Sequence, residues 1–174
     1  MFKNLKKNNT QEDILYNNIL SLSRNKILYT TFNLTDTFQN RVYLIFMHIS
    51  FLFIKIKQSK QKEIYKIFYQ KMFDLIFNKI ELNMREIGYG DTIINKNMKF
   101  FVTVFYNILL NCENLNKKSL NHKEIFFLKY LEHNNTGKKG NNAHLVEYFD
   151  KYQSFCLDLS LDSVLKGDLN FNYK

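Results

Sequence analysis

Residues 38–56 read FQNRVYLIFMHISFLFIKI, and this stretch decides the fold of the chain. Its apolar residues recur at spacings of three and four, which is the pattern of a helix with an inward face: Phe38, Val42, Ile45, Ile49, Leu52 and Ile56. The opposite side is apolar as well, at Leu44, Met47, Phe51 and Ile54. A helix that is apolar all round is usually buried on most sides. The sequence therefore predicts a central helix that begins near Thr35 or Asp36.

A second long helix is predicted to follow, capped by Ser59 and ending near Ile87. Two neighbouring rows of apolar residues run along it at intervals of four: Ile64, Phe68, Met72, Ile76 and Ile80, and Tyr65, Tyr69, Phe73 and Phe77. Because four residues exceed one turn of 3.6, both rows wind around the helix and cover more than one packing face. Two interpretations follow, a second central helix or a surface that receives an apolar partner, and the spacing alone favours the first.

The rest of the chain also has helical signals. Thr10 resembles an N-cap for a short first helix, and further helices are predicted over about 95–114, from Ser119 to about 132, and from about 143, the last closed by residues 165–167. Residues 133–142, with two glycines, are the clearest loop. Proline is absent and glycine occurs only five times. We therefore expect an all-α, single-domain bundle of about five to seven helices with two long central helices, residues 1–34 forming short N-terminal helices and 35–174 the main helical domain.

The net charge of +9 has two interpretations. Only three of the 25 basic residues are arginines, and the lysines are spread along the chain. A/T-rich codons favour lysine, so much of this basicity is typical of an A/T-rich genome and leaves a general attraction to acidic surfaces. A dedicated nucleic-acid binder more often clusters its charge and uses arginine, which binds phosphate through two parallel N–H groups. Protein binding is therefore favoured over nucleic-acid binding, and no specific DNA partner is expected.

Cellular location is also constrained. Cys112 and Cys156 lie far apart, as expected of small buried residues in a reducing compartment. The first residues lack the apolar segment of a secretory signal. The uncharged stretches 42–54 and 100–112 are 13 residues each, shorter than the roughly 20 needed to cross a bilayer. We expect a soluble, cytoplasmic protein.

Signals for catalysis, a cofactor or a metal are weak. The four histidines are scattered, and no phosphate loop, dinucleotide-binding motif or nucleophile elbow is present. Residues 137–140 (GKKG) lack the spacing of a phosphate loop. His48 has no carboxylate or cysteine at a helical spacing, so a hydrogen-bonded core histidine is expected. The sequence predicts neither an enzyme nor a cofactor.

One segment stands out: residues 83–91, NMREIGYGD, at the junction of two long apolar helices. Gly88 suits the left-handed position at a helix end, and Asp91 suits a cap for the next helix. Arg85 would pair with a carboxylate to fix this corner. A structural role and a binding role are about equally favoured, and the two can coexist.

This junction and its flanks resemble the ubiquinol–cytochrome c chaperone family. The family's elements occur here in order over about 70 residues: TFQNRV (37–42), MH (47–48), FD (73–74), MREIGYGD (84–91), Lys96 and Lys99, and FY (105–106). Two features differ: the acidic residues expected just before the central element appear here as Lys79 and Glu81, so only one is kept, and Asn107-Ile108 replaces a Gly-Arg pair. The tail 165–171 is similar to the family's ending.

The resemblance implies a non-enzymatic assembly chaperone that binds newly made cytochrome b for the quinol–cytochrome c oxidoreductase, complex III. It also implies a position at the cytoplasmic side of the inner membrane of a bacterium, or in the mitochondrial matrix of a eukaryote, with possible contact with the membrane surface or the ribosome. The oligomeric state is left open. The partner-binding residues expected are Arg85, Glu86, Gly88, Tyr89, Gly90, Asp91, Lys96, Lys99, Tyr69, Phe73, Phe77 and Tyr106.

Two other classes of function stay open. A lysine-rich helical module that binds RNA or ribosomes would lose binding steeply as salt rises. An enzyme would need a buried pocket with convergent polar groups near the Arg85–Asp91 corner.

Overall fold

The computed structural model describes residues 10–134 and 142–173. Within these residues it contains eight α-helices and one 3₁₀ turn, Leu115–Lys117. The α-helices are α1 (Gln11–Ser23), α2 (Lys26–Thr30), α3 (Phe38–Gln58), α4 (Lys62–Ile87), α5 (Asp91–Cys112), α6 (Leu120–Tyr130), α7 (Asn142–Asp158) and α8 (Leu161–Lys166). The only pairing of extended backbone in the described part of the chain is an isolated bridge between Leu34 and His133. The predicted all-α, single-domain fold is confirmed, with six helices of eleven residues or more and two short ones.

Helix α3 is the centre of the bundle. Fifteen of its 21 residues are buried, and α1, α4, α5, α7 and α8 all pack against it. Phe46 is fully buried and lies against Phe77 and Phe105, with ring centroids 5.5 and 5.2 Å away. The prediction that residues 38–56 form a central helix is therefore confirmed, because each side of the helix meets a different neighbour.

His48 is a core histidine, as predicted. Its side chain is fully buried, with Nδ1 2.6 Å from the Leu44 carbonyl oxygen and Nε2 2.8 Å from the Tyr148 hydroxyl. Since a carbonyl only accepts, Nδ1 carries the proton and Nε2 accepts from Tyr148. Burial lowers the pKa of His48 to about 4, so the ring is neutral at physiological pH. Both cysteines are free and buried, also as predicted.

The start of α3 is fixed by a buried asparagine. Asn40 is 1% exposed; its amide nitrogen donates to the Thr35 and Glu132 carbonyls, and its amide oxygen accepts from the Glu132 N–H. These three bonds, of 2.7, 2.8 and 2.9 Å, tie the segment before α3 to the end of α6. Every strong hydrogen-bonding position of this buried amide except one acceptor lone pair is thereby used.

Three predicted helix boundaries in this part of the fold differ from the structure, and the start of α5, described below, is a fourth. Helix α3 is capped by Thr37, whereas Asp36 pairs with Arg41. Ser59 ends α3 by donating to the Ile56 carbonyl, and α4 begins at Lys62 without a side-chain cap. The last predicted helix breaks near Ser160, which caps the separate α8. Each error arises because several Ser, Thr and Asp residues compete for a cap and tertiary contacts choose between them.

The N-terminal helix belongs to the same core. Helix α1 begins with a capping box between Thr10 and Asp13 and packs on α3, α4 and α8. Asn18 donates to the Gly167 carbonyl at 2.7 Å. The boundary at residue 34 stays a prediction. Of the predicted loop 133–142, His133 and Asn134 lie outside the helices, and residues 135–141, including all of GKKG, lie outside the described residues.

Candidate partner-binding site

Helices α4 and α5 form an antiparallel hairpin whose turn contains the NMREIGYGD segment. Gly88 ends α4 with a φ of +100°, the left-handed conformation predicted for it. Asp91 is not the cap of α5: Gly90 holds that position, and α5 begins at Asp91, four residues earlier than predicted. The Asp91 carboxylate is free for another role because the first turn of α5 takes no side-chain cap.

That role is an ion pair across the turn. Nη1 of Arg85 donates to Asp91 at 2.6 Å, while Nε and Nη2 donate to Glu81 at 3.2 and 2.9 Å. These hydrogen bonds, chiefly the one to Asp91, raise the pKa of Arg85, which is charged at any physiological pH. The arginine therefore joins the end of α4 to the start of α5, the structural role foreseen for it. Exposed ion pairs add little stability, so the pair mainly orients the corner.

The backbone conformation and packing at position 90 do not require glycine. Its φ is −74°, which any residue adopts, and a Cβ built on it meets no atom within 4 Å. Gly88 also has open space, but its positive φ favours glycine. The surface above Gly90 is therefore bare backbone that a partner can approach closely.

The turn carries an apolar tip. Ile87, Tyr89 and Ile93 are 58%, 42% and 50% exposed. Glu86, Gly88 and Lys96 are also exposed around them. Apolar groups of this size ringed by polar residues are typical of a contact surface.

The other four aromatic residues predicted to bind a partner, Tyr69, Phe73, Phe77 and Tyr106, lie elsewhere on the hairpin. Phe77 is 7% exposed and stacks on Phe46, so it is a core residue with little surface to offer. Phe73 is half-buried, with its ring centroid 4.4 Å from Phe77 and 6.2 Å from Tyr106. Tyr106 is 44% exposed. Of the row from Tyr65 to Phe77, Phe77 is buried in the core, whereas Tyr65, Tyr69 and Phe73 are half-buried against it.

Tyr69 borders a groove between the beginning of α4 and the end of α5. The groove has a volume of about 860 Å³ and apolar walls that include Tyr65, Tyr106, Leu109 and Leu110. The Tyr69 hydroxyl is buried and has no hydrogen-bond partner among the described residues. Burial, with a further contribution from the neighbouring Tyr106 hydroxyl, raises its pKa, so it stays protonated. Because Tyr106 does not give it a hydrogen bond of good geometry, a bound group with a polar atom would provide one.

The predicted site residues thus fall into two groups rather than one. Tyr69 and Arg85 are sixteen residues apart on α4, about 24 Å at 1.5 Å per residue. Lys96 and Lys99 lie on α5, on the tip side of the groove. The corner and the aromatic groove therefore lie at opposite ends of the hairpin.

Sequence reasoning missed several exposed apolar residues of the hairpin. Phe100 and Leu110 are 53% and 63% exposed on α5. The signal was available: Lys96, Thr103 and Asn107 are polar residues at helical spacing, and Phe100 and Leu110 lie three or four residues from them. Ile93 was outside the predicted helix, which hid its position.

A smaller crevice lies on the other flank of α4. It has a volume of about 260 Å³, and Arg24, Arg41, Asn83 and Glu86 are among its lining residues. This is the convergence of polar groups that an enzyme would need near the corner. Its lining contains no histidine, cysteine or serine among the described residues. In the described part of the chain, His, Cys, Asp and Glu side chains form no group of three that could hold a metal ion.

Within residues 10–134 and 142–173, no helix combines the length and apolarity needed to cross a membrane. Residues 42–54 belong instead to the buried α3, and residues 100–112 to the half-buried α5.

Comparisons with known proteins agree with the resemblance found in the sequence. The model of the family described as "Ubiquinol-cytochrome C chaperone" matches residues 30–121, which include every element of the resemblance from Thr37 to Tyr106. A crystal structure of the Cbp3 homolog from Brucella abortus is similar in fold, with a TM-score of 0.77 and 19% identity over 94% of this chain and 89% of that chain. No curated protein sequence matches. Since the family model covers more than half of the chain, this protein belongs to the ubiquinol–cytochrome c chaperone family.

Proposed function

We propose that this chaperone of complex III assembly binds newly made cytochrome b, and that the α4–α5 hairpin is the binding surface. The chaperone role follows from the family. One observation supports the surface. Twelve large apolar side chains are exposed in the described part of the chain, and eight of them lie on the hairpin, between Ile67 and Leu110. Helix α3 contributes none. A chaperone for a membrane protein needs apolar surface to shield its client.

Charge supports an apolar client over a polyanion at this surface. Residues 62–112 carry seven basic and five acidic side chains, and Lys66 and Lys71 are already paired with carboxylates. An RNA-binding face has a clear excess of unpaired cations. The hairpin therefore contributes little to the net charge of +9, which lies mostly elsewhere on the chain.

Each part of the hairpin would have its own task. The groove of Tyr65, Tyr69 and Tyr106 would take apolar side chains of the client, and the Tyr69 hydroxyl would find a polar partner there. At the tip, Gly90 would allow the client backbone to come close, while Arg85 holds the turn in place. This assigns the predicted binding residues to two ends of one long surface.

We further propose that the protein works at the cytoplasmic face of the inner membrane. Exposed lysines would hold it loosely near anionic lipid, where each basic residue near the surface is worth about 1 kcal/mol. Cytochrome b emerges into that membrane, so client and chaperone would meet there.

The test is a pull-down from detergent-solubilised membranes of the native host. The wild-type chain is compared with the double variant Ile93→Ser/Phe100→Ser, whose side chains are 50% and 53% exposed on α5. The matched control is Ile125→Ser/Leu128→Ser, two residues of α6 that are 55% and 51% exposed. We expect cytochrome b to be recovered with the wild type and the α6 control and to be at least fivefold depleted with the α5 variant.

A further double variant tests the corner. Arg85→Ala/Asp91→Ala removes the ion pair and is expected to lower cytochrome b recovery without unfolding the chain, since both groups are exposed. Equal losses with the α5 and α6 variants would contradict the hairpin as the surface. Absence of cytochrome b from every sample, with abundant ribosomal RNA that salt removes, would replace the proposal with RNA binding.

A further inference from the structure

The crevice beside α4 contains two of the three arginines of the chain. Arg24 at the end of α1 and Arg41 near the start of α3 line the same 260 Å³ space. The chain has 22 lysines and only three arginines, yet two of the arginines, from separate helices, line this one crevice. Arginine differs from lysine because its planar guanidinium binds a carboxylate through two parallel N–H groups.

The side of the crevice formed by Arg24 and Arg41 carries more positive charge than the neighbouring Asp36 neutralises. Arg41 is bonded to Asp36 at 2.7 and 2.8 Å, and these bonds, with a contribution from the charge of Arg24, lower the pKa of Asp36. Arg24 and Lys26 are exposed and form no ion pair within the described residues. Both line a shallower depression next to the crevice, together with Arg41. A further cation, Lys79, lies 5.9 Å from the ring of Tyr16 in the crevice wall.

The floor and the opposite wall are different in character. Val42, Ile45 and Ile80 are almost fully buried and form an apolar floor. Asn83 and Glu86, on α4, provide hydrogen-bond acceptors on the side facing the arginines. The volume of 260 Å³ is below the roughly 300–1,000 Å³ of small-molecule sites, so it suits one bulky side chain rather than a whole cofactor.

We infer that this crevice docks an acidic peptide segment of a partner protein, with one bulky apolar side chain of that segment seated between α1, α3 and α4. The peptide's carboxylates meet Arg24 and the neighbouring Lys26, while Arg41, which is held by Asp36, adds its charge to the same wall. The peptide's backbone N–H groups meet Asn83 and Glu86. A peptide offers backbone N–H donors to Glu86 as well as carboxylates to the cations, whereas the phosphodiester group of a lipid or of RNA offers acceptors only. The site is separate from the proposed client surface, although the two adjoin at Glu86 and Ile87.

The experiment is a nuclear magnetic resonance titration of the isotope-labelled full chain with synthetic peptides. The probe peptide has a central leucine with four glutamates on each side. One matched peptide has alanine at the centre, and another has lysines in place of the glutamates. We expect the probe to shift the signals of Leu20, Arg24 and Asn83 and not those of Tyr69 and Tyr106. The alanine peptide should bind at least fivefold more weakly, and the lysine peptide should not bind.

Two variants make the test specific. Arg24→Ala is expected to weaken binding of the probe at least fivefold, while Lys118→Ala, which removes an exposed cation outside the crevice, leaves the affinity unchanged. Both substitutions are at exposed positions, so folding is checked by circular dichroism. Equal binding of the leucine and alanine peptides, or equal effects of the two variants, would overturn the inference. Oligouridylate and phosphatidylglycerol vesicles are titrated as competitors. If either one shifts the same signals and displaces the peptide, the inference is also overturned. The readout does not involve cytochrome b, so it fails or succeeds independently of the client assignment.

Discussion

Helix α3 and the α4–α5 hairpin have similar apolar patterns but opposite environments. Fifteen of 21 residues are buried in α3, compared with six of 26 in α4 and six of 22 in α5. Helix α3 is surrounded by five others, whereas the hairpin has one face on the core and one in solvent. Apolar residues in α3 therefore stabilise the fold, and those on the outer face of the hairpin are available for a partner. The comparison predicts that substitutions in α3 change stability, whereas those on the hairpin change binding.

The largest expected contrast is between two phenylalanines. Phe46→Ala in α3 removes a fully buried ring that contacts Phe77 and Phe105, and should lower the free energy of unfolding by about 3–5 kcal/mol. Phe100→Ala on the hairpin removes a ring that is 53% exposed and should change it by less than about 0.5 kcal/mol. Urea denaturation of both variants checks this. Comparable losses would mean that the two regions do not differ as described.

Asn40→Ala extends the comparison to a polar group of α3. It leaves the Glu132 N–H without its acceptor, while the Thr35 and Glu132 carbonyls keep backbone donors, and we expect a loss of about 1–3 kcal/mol in the free energy of unfolding. Faster amide hydrogen exchange of Glu132 would locate the damage. An unchanged exchange rate at Glu132 would contradict the role assigned to this asparagine.

The pH dependence of stability is predicted from His48. Its pKa of about 4 in the folded state lies below the value of about 6.5 in an unfolded chain, so the unfolded state binds the proton first as pH falls. The contribution of the neutral ring is complete above about pH 6.5 and is lost progressively towards pH 4. Between about pH 7 and about pH 5 the loss should be about 2 kcal/mol. Denaturation of the wild type and of His48→Gln across this range measures it.

His48→Gln lacks the titrating group, so its stability should fall much less over the same pH interval. If both proteins show the same dependence, other groups are responsible and the buried histidine does not act as stated.

The smallest effect compares two glycines of the hairpin turn. Gly88→Ala places a side chain at a φ of +100° and should cost about 1 kcal/mol of stability. Gly90→Ala has a φ of −74° and open space, so stability should be unchanged while recovery of cytochrome b falls. Thermal unfolding and the pull-down together test both. A Gly90→Ala variant that binds normally would remove Gly90 from the binding surface.

Much of the fold could be predicted from the sequence. The continuous apolar pattern of residues 38–56 predicted the central helix α3. The lack of a carboxylate or cysteine at a helical spacing from His48 predicted a hydrogen-bonded core histidine, and Gly88 predicted the end of α4. These features depend on local spacing and on the conformations that one residue type favours. The motif from Met84 to Asp91 likewise identified the corner, because its residue types and their order are specific to the family.

Other features were decided only by tertiary packing. Periodicity showed that α4 and α5 have broad apolar faces, but not which parts a neighbouring helix covers: Phe77 became core and Tyr65 lines an open groove. Which carboxylate pairs with an arginine, as Asp91 does with Arg85, depends on how two helices meet. The crevice that joins Arg24 and Arg41 involves residues seventeen positions apart in sequence and a wall from α4. Sequence by itself determined which segments are helical and apolar, because those properties are local. The tertiary structure decided which of these surfaces stay exposed, because exposure depends on the neighbours that the other helices provide.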